Sequence, residues 1–486
     1  MARQTSRASG NSPGTLTGKN QFAASTCVLP VRAGSTLTFA IQENTQMNRT
    51  IDTRARALLI ALALLAGAII AAASIIGTNP PAQSLIRNRI EQLPQAQRGA
   101  WLAYLERSQK QRQADKAAFQ AELKRAGITT PSEPPHGFSA RSVPLDRDPS
   151  WYASAEARHI ADVVVSFQTP AGGWGKNLNM SEEPRRPGER YGPNNVSRFL
   201  APGDFDTPRD PEWNYIGTID NDATTTQINF LARVISAGGA PGAAAYRTAF
   251  LRGIDYLLEA QFPNGGWPQV WPLEGSYHDA ITYNDDAMGR VMELMHNVAE
   301  GRAEFAFVPK SVRARAAASF ARGIQCILAT QIVSNGVLTV WPQQDDALTL
   351  RPVSGRNYEL PAECSGESVN VLLLLMNDLP RPDAAEQRSI RAAAAWFKET
   401  EIFGECWERT PKGRELVASP GAGPIWSRYY QIGTNRPIFG DRDKSIHDNV
   451  NELSRERRNG YSWFDARPER ALHDFAKWSQ EHPEPK

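Results

Sequence analysis

The sequence predicts an all-α-dominated fold, an incomplete α/α toroid whose long loops form an open cleft, preceded by a helical spacer. Three observations predict it. Apolar residues recur at helical spacing over 155–167, 225–238, 250–260, 287–301, 314–330, 367–377 and 389–400. Gly-rich loops with an aromatic residue follow three of these helices: Gln168 to Gly172-Gly173-Trp174, Gln261 to Gly265-Gly266-Trp267, and Gln331 to Asn335-Gly336 with Trp341-Pro342 beyond. A repeated unit of helix, glycine turn and second helix cannot bury its apolar face alone, so successive units stack around a common centre and gather their loops at one mouth.

Taken in order, residues 1–56 are rich in Ser, Thr, Gly, Ala and Asn and too poor in large apolar side chains to order themselves. Residues 57–77 form an uncharged run with Arg54 and Arg56 before it and Pro80-Pro81 after it, long enough to cross a bilayer. It is expected to act in export, either as a signal peptide starting at Met47 and cut among the small residues Ala71 to Ser74, or as an uncleaved membrane anchor. Residues 78–140 are the helical spacer, with Leu85, Ile90, Trp101, Leu105, Phe119 and Leu123 at helical spacing and Pro131, Pro134 and Pro135 as the stop. Residues 141–486 form the main domain.

Composition narrows the class only partly. A net charge of +2 is compatible with an acidic or a neutral substrate, because placement decides. Of Cys27, Cys326, Cys364 and Cys406, three lie in the globular part, which allows one internal disulfide at most. No C-x-x-C pair exists, which argues against structural zinc.

The chemistry is carried by three polar runs. Asp220-Asn221-Asp222 and Asn284-Asp285-Asp286 each stand before a predicted helix, and Gly355-Arg356-Asn357-Tyr358-Glu359 follows later. A helix cap uses one side-chain oxygen, and these runs supply about twice that need. Crowded carboxylates require a cation or a basic partner. An incomplete oxygen set suits Ca²⁺, which takes about six to eight oxygens and leaves positions for a substrate bringing its own carboxylates. Trp174 and Trp267 fit two roles, lids on the core or faces for a sugar. From residue types alone Arg356 reads as a clamp for Glu359 or for a substrate carboxylate. The stretch from Trp426 to Asp443 gathers Arg428, Arg436 and Arg442 among aromatics with little helical period and reads as a cleft loop. Its guanidinium forks suit carboxylates, although Asp441 and Asp443 offer Arg442 a surface pairing instead.

These runs, in this order, resemble the family 10 polysaccharide lyases, pectate lyases built on an α/α toroid. The likeness spans about 151–464 and rests on Gly172-Gly173-Trp174-Gly175-Lys176-Asn177, the two acidic runs, Gly265-Gly266-Trp267-Pro268-Gln269, Gly355-Arg356-Asn357-Tyr358-Glu359-Leu360-Pro361, and Tyr429-Tyr430-Gln431-Ile432-Gly433-Thr434-Asn435-Arg436-Pro437. The resemblance implies cleavage of polygalacturonate or its oligomers by β-elimination, with Arg356 as the Brønsted base. It implies Ca²⁺ held by Asp220, Asn221, Asp285 and Asp286, and substrate contacts from Lys176, Asn177, Asn284, Arg428, Arg436 and Arg442. One departure is visible: where the family reads Leu-Pro-Ser-Leu-Ser-Gly, this chain has Leu360-Pro361-Ala362-Glu363-Cys364-Ser365-Gly366, which alters a subsite or leaves Cys364 near the cleft.

Two rivals remain at this level. An inverting glycoside hydrolase on the same toroid would use Asp220 and Asp285 as acid and base, and a non-catalytic protein would bind the acidic polysaccharide without turnover. Isoprenoid-processing toroids need an apolar, closed pocket, which Lys176 and the arginines oppose. Nucleic acid is not an expected partner, since the acidic runs repel phosphate and no binding motif accompanies the arginines. A secreted or periplasmic monomer is expected.

Overall fold

The computed structural model describes residues 75–210, 217–238, 242–379 and 381–483. Residues 1–56 and most of the apolar run lie outside them, and Ile75–Thr78 forms strand β1. The main helices are α1 (Gln95–Ala126), α2 (Ala155–Ser166), α3 (Thr225–Ser236), α4 (Ala243–Ala260), α5 (Ala287–Glu300), α6 (Lys310–Thr330), α7 (Ser365–Asp378), α8 (Ala384–Glu399) and α9 (Arg467–Glu481). Each of the seven expected main-domain helices is present. Within the expected helical spacer the long helix begins at 95, after one short helical turn at Arg87–Ile90, because Pro94 occupies the N-cap and cannot continue a preceding helical turn.

Helices α3, α5 and α7 pack side by side as an inner layer, and α4, α6 and α8 back them on the outside. Burial follows this order. Nine of the twelve residues of α3 are buried, whereas α6 buries mainly one face. The result is a helical toroid with few short strands. Helix α1 is part of this body, since Trp101, Tyr104 and Leu105 join the main apolar cluster and Tyr104 Oη donates to the Ala260 carbonyl at 2.9 Å. The cysteines Cys326, Cys364 and Cys406 are buried free thiols.

The Gly-rich loops have a shared construction. Gln168 Nε2 donates to the carbonyls of Gly172 in its own loop and Ala249 in α4, both at 2.8 Å. Gln261 Nε2 does the same to Gly265 and Ser319 at 2.9 Å, and Gln331 Nε2 to Thr339 and Ser389 at 2.9 and 3.0 Å. Each glutamine therefore staples a loop to the next outer helix. The turns need glycine: Gly172 has φ 105°, and a Cβ there would lie 2.6 Å from the Arg252 carbonyl oxygen.

Towards the C-terminus the expected irregular cleft loop is instead built from short strands. Glu363–Cys364 (β2), Tyr429–Gln431 (β5) and Arg436–Pro437 (β6) form one antiparallel sheet, Glu405–Thr410 (β3) and Gly413–Ala418 (β4) form a hairpin, and β1, Ser445–His447 (β8) and Phe439–Gly440 (β7) form another sheet. Strands of two or three residues are too short to show an alternating pattern, so the sequence signal was lost. They cover a second apolar cluster that includes Trp407, Tyr429, Phe439, Trp463 and Phe464.

Replacing Gln261 with leucine strands two buried carbonyls, and a loss of about 2–4 kcal/mol in unfolding free energy is expected from urea titration. A change below ~0.5 kcal/mol would show that the staple contributes nothing.

Candidate active site

Four tryptophans set the mouth of the toroid. The indole N–H groups of Trp174, Trp267, Trp341 and Trp426 donate to the carbonyls of Val164, Leu257, Ile327 and Phe397 at 2.7, 2.8, 2.7 and 2.8 Å. Each acceptor lies in the last turn of α2, α4, α6 or α8, where helix carbonyls have no intrahelical partner. All four rings are fully buried, so Trp174 and Trp267 are core lids and offer no face to a sugar. Two residues after these tryptophans stand Lys176, Gln269, Gln343 and Arg428. The first three line an open polar recess of about 460 Å³, together with Asp220, Asn221, Asn284, Asp285, Arg356 and Glu359.

The acidic runs are two copies of one turn. Asn221 and Asp222 have φ 51° and 62°, and Asp285 and Asp286 repeat those values before α3 and α5. Asp220 therefore corresponds to Asn284, Asn221 to Asp285, and Asp222 to Asp286. Asp220 is 3% exposed and pairs with Lys176 Nζ at 2.5 Å. Burial alone would raise its pKa, but the Lys176 charge outweighs this and holds the carboxyl below its usual range. Asn284 Nδ2 bridges the two runs, 3.3 Å from Asp220 Oδ1 and 3.1 Å from Asp285 Oδ2, while its Oδ1 accepts from Gln343 at 2.6 Å. Asp285 meets solvent at the mouth yet is walled by protein, and that desolvation, with the Asp220 charge, pushes its pKa up to about 6.

Asp286 does not join this group. Its carboxylate and that of Asp222 flank Arg290, at 3.9 and 2.5 Å, outside the recess. Two successive left-handed residues separate neighbouring carboxylates, which the expectation of four gathered ligands did not foresee. Asn177 donates to Asn195 Oδ1 at 2.7 Å and accepts from Asn221 Nδ2 at 3.1 Å, which leaves Asn221 Oδ1 without a hydrogen bond among the described residues.

Arg356 lines the recess with its Nε and Nη2 on Glu359 Oε1 at 3.0 and 2.6 Å, and Nη1 has no hydrogen bond among the described residues. Burial would lower its pKa, but Glu359 outweighs burial and raises it well above the ordinary value. Glu359 also accepts from Tyr461 Oη at 3.1 Å, and despite burial the Arg356 charge depresses its pKa to about 2.

The three remaining arginines differ. Arg428 lies over the Tyr461 ring at 4.6 Å and is bonded to Glu367, whose other oxygen accepts from the buried Cys364 thiol. Arg442 is paired with Glu456 Oε2 at 2.7 Å and lies 5.4 Å from the Tyr358 ring centre, and Asp441 and Asp443 are not its partners in that ion pair. Arg436 is exposed, reaches Gln431 Oε1 at 3.2 Å and is not part of the recess. Gln269, Gln343, Asn195, Asp206, Tyr277 and Tyr461 belong to the site or its wall and were not foreseen. The Trp-Pro-Gln strings at Trp267 and Trp341 were the available signal for the two glutamines.

Among the described residues, no three His, Cys, Asp or Glu side chains come together as a metal cluster. The recess instead sets two of its carboxylates, Asp220 and Asp285, on either side of Asn284, with the amide oxygen of Asn221. The raised pKa of Asp285 comes first from desolvation and then from the neighbouring Asp220 charge. This oxygen set fits a hard cation that completes its shell with water or with a ligand's carboxylate.

Comparison with known proteins places the family. A family described as "Pectic acid lyase" matches residues 168–472. A family 10 polysaccharide lyase from Cellvibrio cellulosa, solved as a mutant in complex with trigalaturonic acid, is 30% identical over 72% of this chain and 100% of its own, with a TM-score of 0.57. A second structure of a family 10 polysaccharide lyase from that organism is 31% identical over 70% of this chain and 98% of its own, also at a TM-score of 0.57. No curated protein matches the chain.

Because Glu359 has its pKa depressed from 4.5 to about 2, it stabilises the fold above the unfolded value, and that contribution is lost as pH falls through the folded one. Glu359→Gln is expected to cost about 1–3 kcal/mol at pH 7, since Arg356 loses its charged partner but is 36% exposed and partly screened by water. In urea titrations the gap to wild type should narrow between pH 4.5 and pH 2. A gap constant across that window would show that the pair carries no linkage.

Proposed function

The chain belongs to the pectic acid lyase family and is a polysaccharide lyase, and on that premise we propose that it cleaves polygalacturonate by calcium-dependent β-elimination with Arg356 as the base. The observation that supports this reading best is that Arg356 lines the same recess as Asp220 and Asp285, the two carboxylates bridged by Asn284.

In the proposed reaction Arg356 Nη1 accepts the proton from C5 of a galacturonate unit. The C5–H electron pair becomes the C4–C5 double bond as the C4 oxygen leaves. Asp220, Asn221 and Asp285 would hold the calcium, with Asn284 setting the spacing of the carboxylates. Bound there, calcium supplies Lewis-acid withdrawal of charge from the sugar carboxylate. Lys176 fixes Asp220 and adds positive charge for the polyanion, and Asn177 orients Asn221. Arg428 and Arg442 are proposed to meet carboxylates at neighbouring subsites, whereas the exposed position of Arg436 gives it no support as a third.

Glu359 shapes the pH dependence. It keeps the resting guanidinium protonated, and a base must be neutral to act, so turnover rises with pH. The rival hydrolysis would use Asp220 and Asp285 as acid and base, and product chemistry separates it from elimination.

Export is proposed from the apolar run 57–77. A cut at Ala71 to Ser74 would leave β1 whole, since it starts at Ile75. Among the described residues no helix is long and apolar enough to cross a membrane. Mass spectrometry of the purified protein should find the mature N-terminus at 72–75, and an intact residue 1 would refute both the cut and Met47 as the start.

The reaction is tested with polygalacturonate by following ultraviolet absorbance of the unsaturated product. Calcium removal by a chelator should abolish turnover. Arg356→Ala and Asp220→Ala should each lower kcat by ~10²–10⁴-fold. The wild-type rate should climb from neutral to alkaline pH. New reducing ends without the chromophore would exclude elimination.

A further inference from the structure

The chain segment that precedes helix α1 holds the main chain around Arg356 in place, and one side chain does most of it. Asn79 is 1% exposed, and its Nδ2 donates to the carbonyls of Asn357 at 2.9 Å and Glu359 at 3.0 Å, with the Arg356 carbonyl at 3.3 Å. Its Oδ1 lies 2.7 Å from Ser354 Oγ, whose single hydroxyl proton is shared between that oxygen and the Pro80 carbonyl. Asn79 is thus bonded on both sides of Arg356 in sequence. Its own position is fixed, because its main-chain N–H donates to the Lys444 carbonyl at 2.8 Å and β1 pairs with β8 just before it.

The segment continues as a strap beneath the recess. Ser84 Oγ accepts from Ser276 N at 2.7 Å, Leu85 N donates to Asp279 Oδ2 at 2.8 Å, and Arg89 pairs with Asp346 at 2.5 Å. The held loop has no slack on its other side. A Cβ at Gly355 would collide with Glu359 Oε2 and lie 2.6 Å from Gln344 Oε1. Residue 79 stands outside the span 168–472 that matches the family.

We propose that Asn79 is a positioning residue for the reaction, fixing the Ser354 to Glu359 segment so that Arg356 meets the C5 hydrogen in line. The proposal rests on the reading of Arg356 as the base. Three carbonyls converge on one amide group, and without it they are left partly unpaired in a buried place, so the segment relaxes. A displacement of the order of 1 Å at a reacting group costs up to ~10²-fold in rate while substrate binding elsewhere persists.

The test uses the full chain with polygalacturonate and calcium. Asn79→Ala is expected to lower kcat by about 10- to 100-fold with KM within about 2-fold. Amide hydrogen exchange read by mass spectrometry should quicken in the peptide spanning 354–359 and stay as in wild type across α5. Wild-type kcat in Asn79→Ala overturns the proposal, and so does faster exchange spread evenly over the fold. Should Asn79→Ala fail to fold, Ser354→Ala removes only one of the contacts and should lower kcat about 3-fold with the same confined exchange, and an unchanged kcat there overturns the proposal. Arg356→Ala reads the base assignment by itself. Near wild-type turnover of that variant refutes the base, while the Asn79→Ala exchange pattern still reports whether the segment was held.

Discussion

The bond from each buried indole to an unsatisfied helix carbonyl is the constraint on which the mouth depends. A helix end leaves its last carbonyls without partners, and a tryptophan brings one N–H donor with a large apolar body. In this chain α2, α4, α6 and α8 each spend one such carbonyl on a tryptophan of the following loop. The ring fills the space between layers, and the loop cannot shift without opening both a cavity and a broken hydrogen bond. Polar residues that follow the ring are therefore delivered to the recess with the rigidity of the core.

On that frame the electrostatics are arranged in neighbouring pairs. Lys176 faces Asp220, Arg356 faces Glu359, Arg428 faces Glu367, and Arg290 faces Asp222 and Asp286. Pairing lets buried charges persist where single ones would neutralise. Asp285 has a neutral amide as its hydrogen-bond donor, and desolvation together with the Asp220 charge raises its pKa. In the proposed reaction that carboxylate would share a cation with an acidic sugar.

How far the sequence revealed this depends on the type of signal. The inner helices were legible because an apolar face recurs every three or four residues, and Thr225–Ser236 and Ala287–Glu300 came out within two residues of their expected ends. The recess was legible through its clustered oxygens, and Asp220, Asn221, Asn284 and Asp285 do meet there. Asp286 was misplaced because spacing along the chain does not report φ, and two left-handed residues in a row are rare outside glycine. Gln343 and Gln269 were missed as single polar residues, although each follows a Trp-Pro pair that repeats the setting of the other. The strands near Tyr429 were too short to leave a pattern.

The pairing of β1 with β8 joins residues Ile75 and His447. Contacts this distant in sequence form late in folding, since the entropy of closing so long a loop must be met before they return anything. Helices α2 to α8 draw on nearer neighbours and can assemble first. Ribosomal synthesis must therefore pass residue 447 before β1 can pair, so Asn79, which follows β1, gains its main-chain bond to the Lys444 carbonyl only after most of the chain has been made.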